Sequence, residues 1–253
     1  MATVTILTSG CSFTHAPDSW ANHLNKRYRV LNVAQGGGGN EMNMRNFVQT
    51  WCEYNPDVSI LQLTGTNRFE LIVDKAIQQQ DGDHEQAVIT KEDYTWIKSS
   101  GDINWWKDRD VAISNAIDNY IKHCHSDTLQ LVRLLSGIVT LQRLCGKNFK
   151  IFCWKEIFSN KMIEMIKSKK ELAIWYGLID WTRFWFHDKT KGLCEWGIDN
   201  GFTGNLQEDR INKPPKGYIE GDFGKQMIGH PSAECHEAFA EQVVEQWIKH
   251  RHA

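Results

Sequence analysis

The sequence predicts an α/β protein built on a doubly wound parallel sheet, and three observations carry that expectation. Apolar runs of strand length stand at residues 3–8 (TVTILT), 29–34 (RVLNVA) and 58–64 (VSILQLT). Stretches with helical spacing separate them, at 19–28 and 41–54, so the order reads β-α-β-α-β. Each apolar run ends in a small or glycine-rich segment, GCSFT, QGGGGN or GTNR. In open parallel sheets, ligands bind outside the carboxyl ends of the strands, where these segments fall.

Taken in order, residues 3–8 form a short buried strand that breaks at Gly10. The helix over 19–28 places Trp20, His23 and Leu24 on one face. Residues 29–34 form the second strand, 41–54 the second helix and 58–64 the third strand. The alternation then stops. Residues 74–112 are polar and include QQQDGDHEQ and YTWIKSSGDINWW, which reads as an insertion over the active-site face. Residues 113–145 are mainly helical, as one helix or two, and 149–154 (FKIFCW) form a fourth strand. Residues 156–228 combine a helix-like segment, the Trp-rich WYGLIDWTRFWF and a Gly/Pro-rich loop. Residues 232–250 have helical periodicity, with Ala238, Phe239, Val243, Val244 and Trp247 on one side.

Composition narrows the class. A length of 253 residues suits one large α/β domain with insertions. A formal net charge of −2 gives no reason to expect nucleic acid or an anionic membrane as partner. No apolar run approaches the ~18 residues of a membrane span. The first residues show no basic stretch leading into an apolar one, so no signal peptide and a cytoplasmic location are expected. The seven cysteines are odd in number and form no C-x-x-C pair. They read as reduced thiols packed mostly as small hydrophobes.

The strand-end segments and GHPSAECH near residue 230 supply a serine, a glycine-rich backbone, an asparagine amide and a histidine. Those are the parts of an acyl-transfer site: a nucleophile, a base that returns its proton to the leaving group, and donors for an oxyanion. On these residues the chain resembles the SGNH hydrolases, also called GDSL esterases and lipases. Gly10-Cys11-Ser12 matches the family's first block, Asn32 to Gly37 its second, Gly65-Thr66-Asn67 its third and His230-Pro231-Ser232 its last. The resemblance implies a flavodoxin-like three-layer α/β/α fold with a central parallel sheet. It implies one SGNH-like domain over 1–253, with aromatic-rich insertions at about 74–112 and 156–226. It makes Ser12 the nucleophile and His230 the base. The Ser12 N–H, the Gly37 N–H and the Asn67 amide become the oxyanion hole, and no metal or cofactor is required. It does not extend over residues 74–148 and 156–226. Three departures stand out. Cys11 replaces the block-one Asp. Arg68 follows the block-three Asn. Met227 stands three residues before His230, where the family carries the Asp that orients the imidazole. Asp222 and Glu220 are the nearest acids in sequence.

The implied activity is hydrolysis of a small ester, such as an O-acetyl group on a carbohydrate, through a Ser-His dyad or incomplete triad. The same residues would support acyl transfer to another acceptor. The competing reading is a catalytically silent module that binds glycans or belongs to a larger assembly. The eleven tryptophans are expected mainly to pack the insertions. Trp96, Trp105, Trp106 and Trp181 are the candidates for stacking on a sugar or clasping an acyl chain. A sugar is favoured, because no long apolar lid helix is apparent. His15 and His236 read as helix-surface residues, with lining the pocket a second reading for His15. His123 and His125 do not face one another on a helix, so no metal is expected there. The glycines at 36–39 lack the spacing of a nucleotide-binding loop.

Overall fold

The computed structural model describes residues 3–73, 95–98, 111–202, 204–205 and 230–249. Its elements begin with β1 (Thr5–Ser9), α1 (Ser12–His15), α2 (Trp20–Leu24), β2 (Arg29–Asn32), α3 (Asn40–Tyr54) and β3 (Val58–Leu63). A hairpin of β4 (Glu70–Val73) and β5 (Thr95–Lys98) follows. Next come α4 (Val111–His123), α5 (Asp127–Cys145), β6 (Phe149–Cys153), α6 (Asn160–Ser168), α7 (Lys170–Leu178), β7 (Phe184–Trp185) and α8 (Leu193–Asp199). Two stubs, β8 (Gly204–Asn205) and β9 (His230–Pro231), pair antiparallel before α9 (Ala233–Phe239). One π turn (Ala240–Val244) joins α9 to α10 (Glu245–Lys249).

The central sheet has five strands in the order β2-β1-β3-β6-β7, all parallel. The α/β class and the parallel sheet are therefore as the sequence predicts. Side chains alternate across a strand, and here the alternation divides the core in two. Ile6, Val58, Ile60 and Phe152 pack on one side with Trp20, Leu24, Phe239 and Val244. Leu7, Leu61, Leu63, Phe149 and Ile151 pack on the other with Phe47, Leu131, Leu135 and Ile138. Because helices cover both faces, all six residues of β3 are buried.

Polar residues set the element ends. Ser19, Ser126 and Ser159 accept from the backbone N–H three residues on and start α2, α5 and α6. Ser232 does the same for α9 through Cys235 N–H, so the serine after His230-Pro231 is a helix cap. Asn55, left-handed at φ 43°, ends α3.

The structure adds elements that the periodicity did not show. The 113–145 region is two helices, divided at Ser126. Phe184–Trp185 is a fifth parallel strand inside the Trp-rich stretch, too short for a period to register. The first insertion is not wholly irregular, since β4 and β5 pair with Glu70 opposite Lys98. His236 is not a surface residue. It is buried at 1% exposure on the inner side of α9. All seven cysteines are free, four of them buried.

Thr14, fully buried in α1, joins the sheet ends together. Its Oγ1 donates to Gln62 Oε1 (2.9 Å) and accepts from Trp20 Nε1 (3.2 Å). Its carbonyl accepts from Ser19 Oγ (2.8 Å) and Asn32 Nδ2 (2.7 Å). Gly10 sits against the same group, where a Cβ would stand 2.5 Å from Thr14 Oγ1 and 2.7 Å from Gln62 Oε1. Thr14→Val keeps the shape and removes the hydroxyl, leaving Trp20 Nε1 without its partner and Gln62 Oε1 without its principal donor. The variant is expected to lose about 2–3 kcal/mol in urea unfolding. A loss within a few tenths of a kcal/mol of zero would contradict the role given to this hydroxyl.

Candidate active site

Winding direction reverses at β1: one crossover leads to β2 and another to β3 on the opposite side. The carboxyl ends of these three strands then face a common crevice. The segments carrying Ser12, Gly37 and Asn67 follow those three ends.

Ser12 is the first residue of the one-turn helix after β1. That turn is closed by Thr14 N–H and His15 N–H donating to the Cys11 carbonyl at 2.9 and 3.0 Å. As the first helical residue, Ser12 has an N–H with no partner inside the helix. Cys11 points the other way. It is fully buried, with Sγ 3.5 Å from Gln62 Oε1, so the residue in place of the block-one Asp is a core thiol.

His230 arrives from the far end of the chain on β9. Its Nε2 lies 2.6 Å from Ser12 Oγ. Its ring lies over Phe13, with centroids 4.7 Å apart and tilted by 54°. Phe13 in turn packs on Trp154 at 5.1 Å. The imidazole therefore has an aromatic floor that is itself part of the core.

Gly37 lies in the turn 35–38, closed by Gly38 N–H donating to the Gln35 carbonyl at 3.1 Å. Its φ is +70°, while Gly36 is not left-handed. That is the pattern of a type II turn, whose third residue favours glycine. Among the described residues the Gly37 N–H has no hydrogen-bond partner. Asn67 is exposed in the turn closed by Arg68 N–H on the Gly65 carbonyl at 3.3 Å. Its amide has no partner among the described residues, and its Oδ1 lies back over Gly65, 2.7 Å from where a Cβ would stand. Asn32 bridges instead of binding: Nδ2 goes to Thr14 and Oδ1 accepts from Ala34 N–H at 3.2 Å.

The structure thus brings Ser12 and His230 into hydrogen-bond contact and sets Gly37 and Asn67 on the two neighbouring strand ends. Trp181 is elsewhere. It packs among Tyr176, Phe184 and Phe158 in the core on the α5 side of the sheet, with Trp175. Trp185 and Trp196 join the opposite core. Trp96 lies in β5. Trp105, Trp106, Met227, Asp222 and Glu220 lie outside the described residues. His125 packs on Phe69 at 4.7 Å. His15 donates Nδ1–H to the Ala34 carbonyl (2.9 Å), since a carbonyl can only accept. It also lines a cavity with Gln35, Gly36, Asn46, Gln49 and Lys98. Lys98, Thr14 and Gln62 were not singled out in the sequence. The signal for Gln62 was a polar side chain inside the apolar run VSILQLT.

No protein-family model and no curated protein matches the chain. Among solved structures, a crystal structure of TesA is 14% identical, with a TM-score of 0.43 over 98% of this chain and 99% of that one. A structure of the psychrotrophic esterase EstA from Pseudoalteromonas sp., inhibited by monoethylphosphonate, is 10% identical, with a TM-score of 0.43 over 97% and 98%. Likenesses this distant say nothing about chemistry. Among the described residues no helix is long and apolar enough to cross a membrane.

Behind the site, His236 meets Phe13 edge-on at 6.4 Å. Burial pushes its pKa down from 6.5 to about 4. The unfolded chain therefore takes up this proton near pH 6.5, while the folded protein refuses it until about pH 4. The stability linked to His236 is complete above pH 6.5 and is lost as pH falls through that window. Going from pH 7 to pH 5 should cost about 2 kcal/mol through this residue. In urea titrations at the two pH values, His236→Leu is expected to flatten that difference. An unchanged difference would show that other groups carry it.

Proposed function

We propose that the chain is a serine ester hydrolase of the SGNH type, acting on a small ester such as an O-acetyl group on a carbohydrate. The observation that carries this reading is the 2.6 Å contact between Ser12 Oγ and His230 Nε2 at the carboxyl end of a central parallel strand. In the proposed reaction Nε2 takes the hydroxyl proton as Oγ attacks the ester carbonyl. The tetrahedral oxyanion is held by the N–H groups of Ser12 and Gly37 and by the Asn67 amide. The imidazolium returns its proton to the leaving alkoxide, and an acyl-serine remains. Water then attacks the acyl-serine with His230 again as base, releasing the acid and restoring the hydroxyl. This chemistry draws on no metal or cofactor.

A fluorophosphonate probe tests the nucleophile directly. The wild-type protein is expected to be labelled, and Ser12→Ala to escape labelling and to lose hydrolysis of p-nitrophenyl acetate. Its fold should survive, because the change removes at most a capping-scale contribution of ~1 kcal/mol. Absence of labelling in folded wild-type protein would favour the silent binding or structural module.

Asn67→Ala is expected to lower kcat by roughly 10²–10³ with little change in KM, because the amide meets charge present only in the transition state. A pure KM effect would place Asn67 in substrate binding and remove it from the oxyanion hole.

A further inference from the structure

The turn that offers the Asn67 amide grows from the end of β3, and the turn that offers the Gly37 N–H runs into α3. One buried side chain joins the two. Asn40, the first residue of α3, is 6% exposed. Its Nδ2 donates to the Thr64 carbonyl and its Oδ1 accepts from Thr64 N–H, both at 2.9 Å. Thr64 directly follows β3 and stands three residues before Asn67, while Asn40 stands three residues after Gly37. We propose that Asn40 is a positioning residue for the oxyanion hole, acting through Asn67 by holding that amide in register with the Gly37 N–H. The inference rests on the esterase reading, because it gives Asn40 a part in the turnover of that same site.

The chemistry of the pairing suits this role. A primary amide carries donor and acceptor on separate atoms in one plane, as a peptide group does. Here both ends meet one residue, so the Thr64 peptide is fixed in orientation as well as distance. An ionised aspartate has no donor for the carbonyl, a serine hydroxyl reaches less far, and a glutamine is longer by a methylene. Thr64 is fully buried, so without Asn40 its N–H and carbonyl lose their partner where water is scarce.

The neighbouring contacts run the same way. A Cβ at Gly39 would stand 3.1 Å from the Arg68 carbonyl oxygen, so the start of α3 lies directly on the backbone just past Asn67. Arg68 Nη1 donates to the Gly38 carbonyl at 3.5 Å. Phe69 anchors the far side of the 65–68 turn, packing on His125 and Tyr120 with centroids 4.7 and 5.2 Å away. The Gly37 turn has its own anchor on β1, since Gln35 N–H donates to the Gly10 carbonyl at 3.2 Å. The Gly37 donor is thus referred to β1, and the Asn67 donor to α3 through Asn40. An oxyanion donor works only where charge develops, and a misplacement of about 1 Å can cost on the order of 10²-fold in rate.

The test is Asn40→Ala, alone and combined with Asn67→Ala, in protein shown to be folded at the assay temperature by thermal melting. Hydrolysis of p-nitrophenyl acetate gives kcat and KM, and intact-mass spectrometry gives the rate of fluorophosphonate labelling, which registers slow variants. Asn40→Ala alone is expected to lower kcat and slow labelling about ten-fold, with KM within about two-fold of wild type. In the Asn67→Ala background the same change should slow labelling by about two-fold or less, because the amide it positions is gone. A merely structural role would give the same loss in both backgrounds, and that result would overturn the proposal. So would an unchanged kcat or a loss confined to KM in the folded single variant. If Asn40→Ala melts near the assay temperature, Asn40→Ser, whose hydroxyl can serve one of the two Thr64 groups, carries the same cycle with a loss of about three-fold expected. Wild-type protein that is neither labelled nor active would bring down the esterase reading and this role with it. Labelled wild type, slow Asn67→Ala and equal losses in the cycle would bring down the role of Asn40 alone.

Discussion

The site depends on the hydrogen bond from Thr14 to Gln62. A glutamine inside a fully buried strand needs partners, because a buried polar group without them costs free energy comparable to a lost hydrogen bond. Gln62 obtains them from the α1 turn, with Thr14 Oγ1 and the Cys11 thiol on its Oε1. Its Nε2 donates to the Leu63 carbonyl at 2.8 Å. The turn that presents Ser12 is thereby fastened to the neighbouring strand. Asn32 fastens it to the other neighbour through the Thr14 carbonyl. Ser12 is thus placed by hydrogen bonds from the α1 turn to both neighbouring strands.

The glycines follow from the same crowding. Gly10 is small because Thr14 and Gln62 occupy the space of its Cβ, and Gly37 is glycine because its turn needs a positive φ. Glu70 shows how the hairpin takes part. Its carboxylate accepts from Met42 N–H at the start of α3 (2.9 Å) and from Arg45. Burial nevertheless raises its pKa above the ordinary carboxylate value, the guanidinium only partly opposing that. With Lys98 on the Gly36 carbonyl, the hairpin braces both the glycine turn and the helix that follows it.

Much of this was legible in the sequence because strand runs and strand-end breaks are local signals. The first three strands, the fourth at Phe149–Cys153 and the final helix lie close to where periodicity puts them. The partnership of Ser12 with His230 was legible only as a set of ordered motifs, since 217 residues separate the two in the chain. The rest was hidden for physical reasons. A two-residue strand such as Phe184–Trp185 has no measurable period. Histidine carries no burial signature of its own, so His236 read as a surface residue until the packing of α9 turned it inward. Trp181 and Trp185 fall in opposite cores because β7, which carries Trp185, turns Phe184 and Trp185 to opposite faces of the sheet, and so short a strand leaves no alternation to read.

The two members of the Ser-His pair are held very unequally. Ser12 follows a strand buried between two neighbours, whereas His230 rides on a two-residue stub paired with Gly204–Asn205. Short pairings open at lower free energy than core strands. Heating should therefore part the pair while the sheet is still intact. On brief heating that separation would be reversible, because the capped start of α9 at Ser232 holds the chain two residues from His230 and guides the imidazole back.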